Sequence, residues 1–143
     1  MTSAVHSATP FRICAVVLVL FAVGHTFGFL NFKPATPDGL AVKTAMDDVT
    51  FRFGNASRTY GELYRGFGLF VTAYLLFAAL TAWELPRLLV ASPDAFRTIA
   101  AGLFAVQLAT AVLSWMYFAL PPAVLSTAVV LCLAWGLVLA RSS

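Results

Sequence analysis

Proton transfer needs an imidazole or carboxyl group held within reach of its partner. The candidates here are His25, within Gly24-His25-Thr26-Phe27-Gly28, and Glu62, within Ser57-Arg58-Thr59-Tyr60-Gly61-Glu62-Leu63-Tyr64-Arg65-Gly66-Phe67-Gly68. The second stretch runs straight into the apolar segment Leu69 to Phe77. Charge entering an apolar helix is costly, so it has a partner or a task. As a site, His25 and Glu62 would form the catalytic pair, with Arg58 and Arg65 positioning the carboxylate. Asn31, Tyr60, Tyr64, Trp115 and Tyr117 would join the two arginines around a flat apolar ligand, since aromatic walls and glycine gaps suit such a molecule.

Each residue also has a structural reading. His25 could hydrogen-bond a backbone carbonyl or a tyrosine hydroxyl between helices. Thr59-Tyr60-Gly61-Glu62 fits the capping box T-x-x-E, in which Glu62 reaches back to the Thr59 amide. Glu62 is also three residues from Arg65 and four from Arg58, the spacing at which helical side chains pair. Trp83, Trp115, Tyr117 and Trp135 suit the membrane interface, where an apolar ring meets water.

The elements that must position these groups are membrane helices. Of 143 residues, 61% are hydrophobic and 10% charged. A soluble chain is nearer ~45–50% apolar and ~25% charged. So small a chain cannot hide that much apolar surface, because surface is large relative to volume. Four apolar runs are expected to form helices at about 12–31, 60–83, 93–120 and 123–140, near the ~20 residues that cross a bilayer. The expected fold is all-α, a membrane-spanning four-helix bundle in one domain of residues 1–143 with a long first loop. Residues 1–10 read as a loose tail. Ala22-Val23-Gly24 has the small-x-small form of a signal-peptidase site, but Phe27, Phe29, Leu30 and Phe32 prolong the run, so the intact segment is expected to span.

The loop, residues 32–59, holds a short interfacial helix from Thr36-Pro37 to about Asp48, with Thr36 as cap and Pro37 at the first helical position. Val49 to Phe53 alternates with the strand period. With no evident partner it reads as an extended segment over the bundle, closed by a turn at Gly54-Asn55. Ser92 is expected to cap the third span, and Pro121-Pro122 to end it. Four spans put both termini on one side, and the arginines near the short second loop favour that side as cytoplasmic. By this topology the end of the first span, the start of the second and the end of the third share one membrane face, where the nine candidate residues could converge. Gly24/Gly28, Ala101/Ala105/Ala109 and Ala128/Cys132/Gly136/Ala140 read as close-packing stripes, within the chain or in an oligomer or larger membrane complex.

Several chemistries fall away. The net charge of +3 is spread along the chain, so nucleic acid is not an expected partner. Cys14 and Cys132 stand alone in apolar runs, and Asp47-Asp48 has no nearby His or Cys, so no metal site is expected. No phosphate-loop or dinucleotide fingerprint is present, and no cofactor is expected. The partners expected are the lipid bilayer and a hydrophobic small molecule such as a lipid, isoprenoid or quinone. The alternative is an accessory membrane subunit without a ligand.

With Gly24-His25-Thr26 ending one helix and Arg58-Thr59-Tyr60-Gly61-Glu62-Leu63-Tyr64-Arg65-Gly66-Phe67-Gly68 opening the next, the chain resembles small bacterial integral membrane proteins with four predicted helices. The resemblance implies a bacterial inner membrane and no particular activity. A looser likeness in architecture is to sterol-isomerase-type membrane proteins, none of whose motifs is matched residue by residue.

Overall fold

The computed structural model describes residues 2–141, so Met1, Ser142 and Ser143 lie outside the described residues. Five helices and one hairpin follow in order: α1 (Thr2–Leu30), α2 (Pro37–Asp48), β1 (Thr50–Phe53), β2 (Ala56–Thr59), α3 (Tyr60–Ala91), α4 (Pro93–Tyr117) and α5 (Leu120–Arg141). Four of them, Ala8–Leu30 of α1 together with α3, α4 and α5, are long and apolar enough to cross a membrane. The chain divides into two compact units: Met1–Ala22 with Tyr74–Ser143, and Val23–Ala73.

The first unit draws on all four long helices. Its core holds Phe11, Leu18, Leu75, Leu85, Val129 and Leu133, each at most 1% exposed. Large apolar side chains also point outward: Leu20 is 62% exposed, Phe77 69% and Leu131 64%. Lipid accepts such surfaces, while small residues inside let helices come close. Gly136 on α5 lies against the Phe11 ring, and Phe11 meets Phe96 edge to face at 5.8 Å.

Three helix boundaries differ from those expected. Helix α1 begins at Thr2, where a loose tail was expected, and carries Pro10 inside it. Helix α3 continues through Pro86 to Ala91 rather than stopping near Trp83. Proline offers no N–H to the carbonyl four residues back. However, Leu85 is fully buried and Leu88 and Leu89 pack on the core, so tertiary packing outweighs the local penalty. Between α4 and α5 the break falls at Phe118, and Pro121 and Pro122 lie in the first turn of α5. The N–H groups of a first turn have no helical acceptor, so proline there loses nothing. Ser92 stands at the N-cap of α4 without a side-chain capping bond. On α4 the buried stripe is Phe96, Ala100, Gln107, Ala111 and Ser114, so Ala101, Ala105 and Ala109 face outward.

In the second unit α2 starts as its sequence indicates. Thr36 accepts from the Gly39 amide at 3.1 Å, with Pro37 at the first helical position. The segment after it is not a lone extended strand. β1 pairs antiparallel with β2, Thr50 opposite Thr59 and Phe53 opposite Ala56. The two-residue turn is Gly54-Asn55, with Gly54 at φ +60°, a conformation glycine adopts without steric cost. Pairing satisfies the backbone that a single strand leaves open.

Candidate functional site

The second unit encloses a cavity of about 240 Å³ where α1 ends, α2 turns back and α3 begins. Phe29, Phe32, Val42 and Met46 supply apolar wall, and Tyr64 adds an aromatic ring with a hydroxyl. Lys43, Asp47 and Arg65 are its charged lining.

Local chemistry explains how each part is held. Gly61 admits α2 to α3: a Cβ there would overlap the Asp47 carboxylate and stand 3.3 Å from the Met46 carbonyl oxygen. Lys43 Nζ donates to Asp47 Oδ2 at 2.8 Å, one helical turn away. Arg65 Nη1 lies 3.8 Å from Asp47 Oδ1, an ion pair too long for a hydrogen bond. One carboxylate thus holds two cations at one rim. The Lys43 hydrogen bond is the main reason that Asp47 is held below its ordinary value; desolvation opposes it, and the charges of Lys43 and then Arg65 each add a smaller lowering. Such a group stabilises the fold fully above its unfolded value of ~3.9, and the contribution is lost as pH falls through the lower folded value. An NMR titration of Asp47 should therefore show a midpoint below ~3.9. Lys43→Gln should raise it more than Arg65→Gln does; the reverse order would refute this account.

Of the residues singled out in the sequence, Tyr64 and Arg65 line this cavity, and Asn31 lies between the lining residues Leu30 and Phe32. The Asn31 amide donates to the Phe27 carbonyl at 2.8 Å and closes the end of α1. Arg58 and Glu62 line a separate depression with Phe51, Phe67 and Phe70. Tyr60 packs on Phe51, ring centroids 5.0 Å apart. Trp115 and Tyr117 belong to the first unit, where the Trp115 indole donates to Thr127 at 3.0 Å.

His25 and Glu62 both make structural bonds. The Nε2 of His25 donates to the Gly68 carbonyl at 3.1 Å, and Thr26 bonds Thr72 at 2.7 Å, joining α1 to α3. Glu62 forms the capping box: its carboxylate accepts from the Thr59 amide at 2.8 Å, while Thr59 Oγ1 accepts from the Glu62 amide at 3.0 Å. Thr59→Ala should then cost about 0.5–2 kcal/mol in detergent unfolding. Glu62→Gln should cost less, because glutamine can fill the same position. A larger loss from Glu62→Gln would mean that the charge, rather than the cap, is what the fold uses.

Sequence reasoning missed Lys43 and Asp47. Their signal was the four-residue spacing inside the expected helix 37–48, which brings opposite charges together.

These features define the class, an all-α integral membrane protein with four candidate spans. Compared with protein-family models, curated proteins and solved structures, the chain matches none.

Proposed function

We propose that this protein binds a hydrophobic small molecule, a lipid, isoprenoid or quinone, in the cavity between the end of α1, α2 and the start of α3. The observation that carries the reading is the cavity's lining: apolar and aromatic walls with a few polar groups gathered at one rim, the usual make-up of a small-molecule site. Its place at the ends of two candidate spans suits a ligand drawn from the bilayer. Tyr64 and Arg65 would contact the ligand, and Asn31 would hold the α1 end that forms one wall. Arg58 and Tyr60 would hold the hairpin end of α3. Trp115 and Tyr117 would act as interfacial aromatics at the end of α4. His25 would keep α1 and α3 in register and Glu62 would cap the start of α3; proton transfer by this pair is the finer form of the proposal. The membrane would be a bacterial inner membrane with cytoplasmic termini.

Mass spectrometry of lipid extracts from the purified full-length protein tests the reading. A co-purifying amphiphile that is depleted by Tyr64→Ala and retained by Glu62→Gln is the expected result. An empty protein, with the same extract from both variants, would remove the pocket from the account.

A specific observation favours the second reading, an accessory membrane subunit. His25 and Glu62 are both engaged in bonds that the fold needs. Gly24 and Gly28 leave a bare strip on α1, with no atom within 4 Å of the position a Cβ would take. Co-purification of another membrane protein, lost in Gly28→Leu, would support that reading over the first.

A further inference from the structure

We propose that the occupant of this cavity is an anionic amphiphile, a single acyl or prenyl chain ending in a phosphate or carboxylate, with Lys43 and Arg65 receiving its head. This rests on the pocket reading and narrows it to one class of ligand.

Charge decides the class. The lining carries two cations and one carboxylate, a net charge of one positive unit at neutral pH. A neutral occupant would leave the excess positive charge to solvent alone, and a cationic one would meet two like charges around the one carboxylate among the described lining residues. An anionic head balances it. The two cations are not equally committed. Lys43 is hydrogen-bonded to Asp47 at 2.8 Å, whereas Arg65 stands 3.8 Å away. A guanidinium carries five donors in a planar fork that matches phosphate or carboxylate oxygens, and it is the better bidentate partner of the two. Arg65 is thus the principal ligand for the head, with Lys43 adding charge beside it.

Shape supports the same class. A cavity of about 240 Å³ falls short of a drug-sized site and suits a compact head with the first part of one chain. Beyond the charged rim the wall passes to Phe29, Leu30, Phe32, Val42 and Met46, and Leu30 is half exposed, so a longer chain has an apolar exit at the end of α1. Asp47 excludes a second anionic group at the rim and keeps the two cations from repelling each other when the site is empty.

The test uses the full chain in phosphatidylcholine nanodiscs, titrated calorimetrically with octyl phosphate, octanol and inorganic phosphate, with empty nanodiscs subtracted. Saturable octyl phosphate binding is expected, weakened at least tenfold by Arg65→Gln and less by Lys43→Gln. Octanol and inorganic phosphate should each bind at least tenfold more weakly. Both replaced side chains are about half exposed, and thermal unfolding of the variants checks that they remain folded. Octanol binding as tightly as octyl phosphate, or unchanged affinity in a folded Arg65→Gln, overturns the charge assignment and leaves the pocket standing. Inorganic phosphate binding as tightly as octyl phosphate overturns the amphiphile. Failure of both octyl phosphate and octanol to bind overturns the pocket itself. Competition from lysophosphatidic acid, one acyl chain ending in a phosphate, added to the nanodisc would support a bilayer lipid as the source of the head. Unchanged octyl phosphate binding in that nanodisc would support a free amphiphile.

Discussion

Gly61→Val should lift α2 off the start of α3 and open the cavity. A Cβ at this position would overlap the Asp47 carboxylate and stand 3.3 Å from the Met46 carbonyl oxygen. The carboxylate can swing aside, at the cost of its bonds to Lys43 and Arg65. The Met46 carbonyl is backbone and moves only with α2. Overpacking of this kind costs about 1–3 kcal/mol. Replacing glycine in a helix returns up to ~1 kcal/mol through backbone entropy. With alanine the two effects come close to cancelling; with valine the larger side chain and its poorer helix propensity tip the balance towards loss. Gly66→Ala is the control, because a Cβ there meets nothing within 4 Å and should be neutral or slightly stabilising. Hydrogen–deuterium exchange across α2 reads the result. Faster exchange in Gly61→Val, with wild-type exchange in Gly66→Ala, is expected. Wild-type protection of α2 in Gly61→Val would show that Gly61 does not set the approach of the two helices.

In the first unit the largest effect is expected where Phe11 fills the notch at Gly136. The Cβ of an alanine there would stand 2.7 Å from the Phe11 ring. Phe11 is 0% exposed and is held edge to face by Phe96, so the ring has no room to retreat. Gly136→Ala should therefore destabilise by about 1–3 kcal/mol despite the better helix propensity of alanine. Phe11→Ala removes the ring and leaves a cavity, a change worth roughly 3–5 kcal/mol in water-soluble cores. In a bilayer the loss should fall at the lower end, because lipid offers no hydrophobic transfer gain and the cost is mainly lost packing. The two sites touch, so they should couple: adding Gly136→Ala to Phe11→Leu should cost less than adding it to the wild type. Gly102→Ala, in open space, is the neutral control. Reversible unfolding in mixed detergent micelles measures the cycle. Simple additivity, or a Gly136→Ala protein as stable as wild type, would be the refuting result.

Both variants act at places where α-helices approach without a side chain between them, and the sequence marks only some of these. Gly61 and Gly68, seven residues apart on α3, each leave room for a neighbour. That neighbour is the Asp47 and Met46 end of α2 at Gly61, and the Phe29 ring at Gly68. Gly24 and Gly28, equally marked by spacing, meet nothing within 4 Å. Spacing reports that a close approach is allowed; it carries no information about what arrives.

What the sequence by itself determined was set by composition or by neighbours a few residues apart. Lipid acts on each side chain almost independently, so summed hydropathy located the four spans. The Thr36 cap of α2 and the Thr59/Glu62 capping box are bonds over three residues, and their residue types sufficed. Tertiary structure alone decided the rest. The rotation of α4 was hidden because lipid and core are about equally apolar, so no contrast distinguished the Ala100 face from the Ala101 face. Ala56–Thr59 lacks the alternation of a strand and became one through pairing with Thr50–Phe53. Pro86 stayed helical because Leu85 is buried beside it. The carboxylate beside Arg65 proved to be Asp47, on another helix, rather than Glu62 three residues away, because the capping box had already engaged Glu62 and Gly61 let α2 come close.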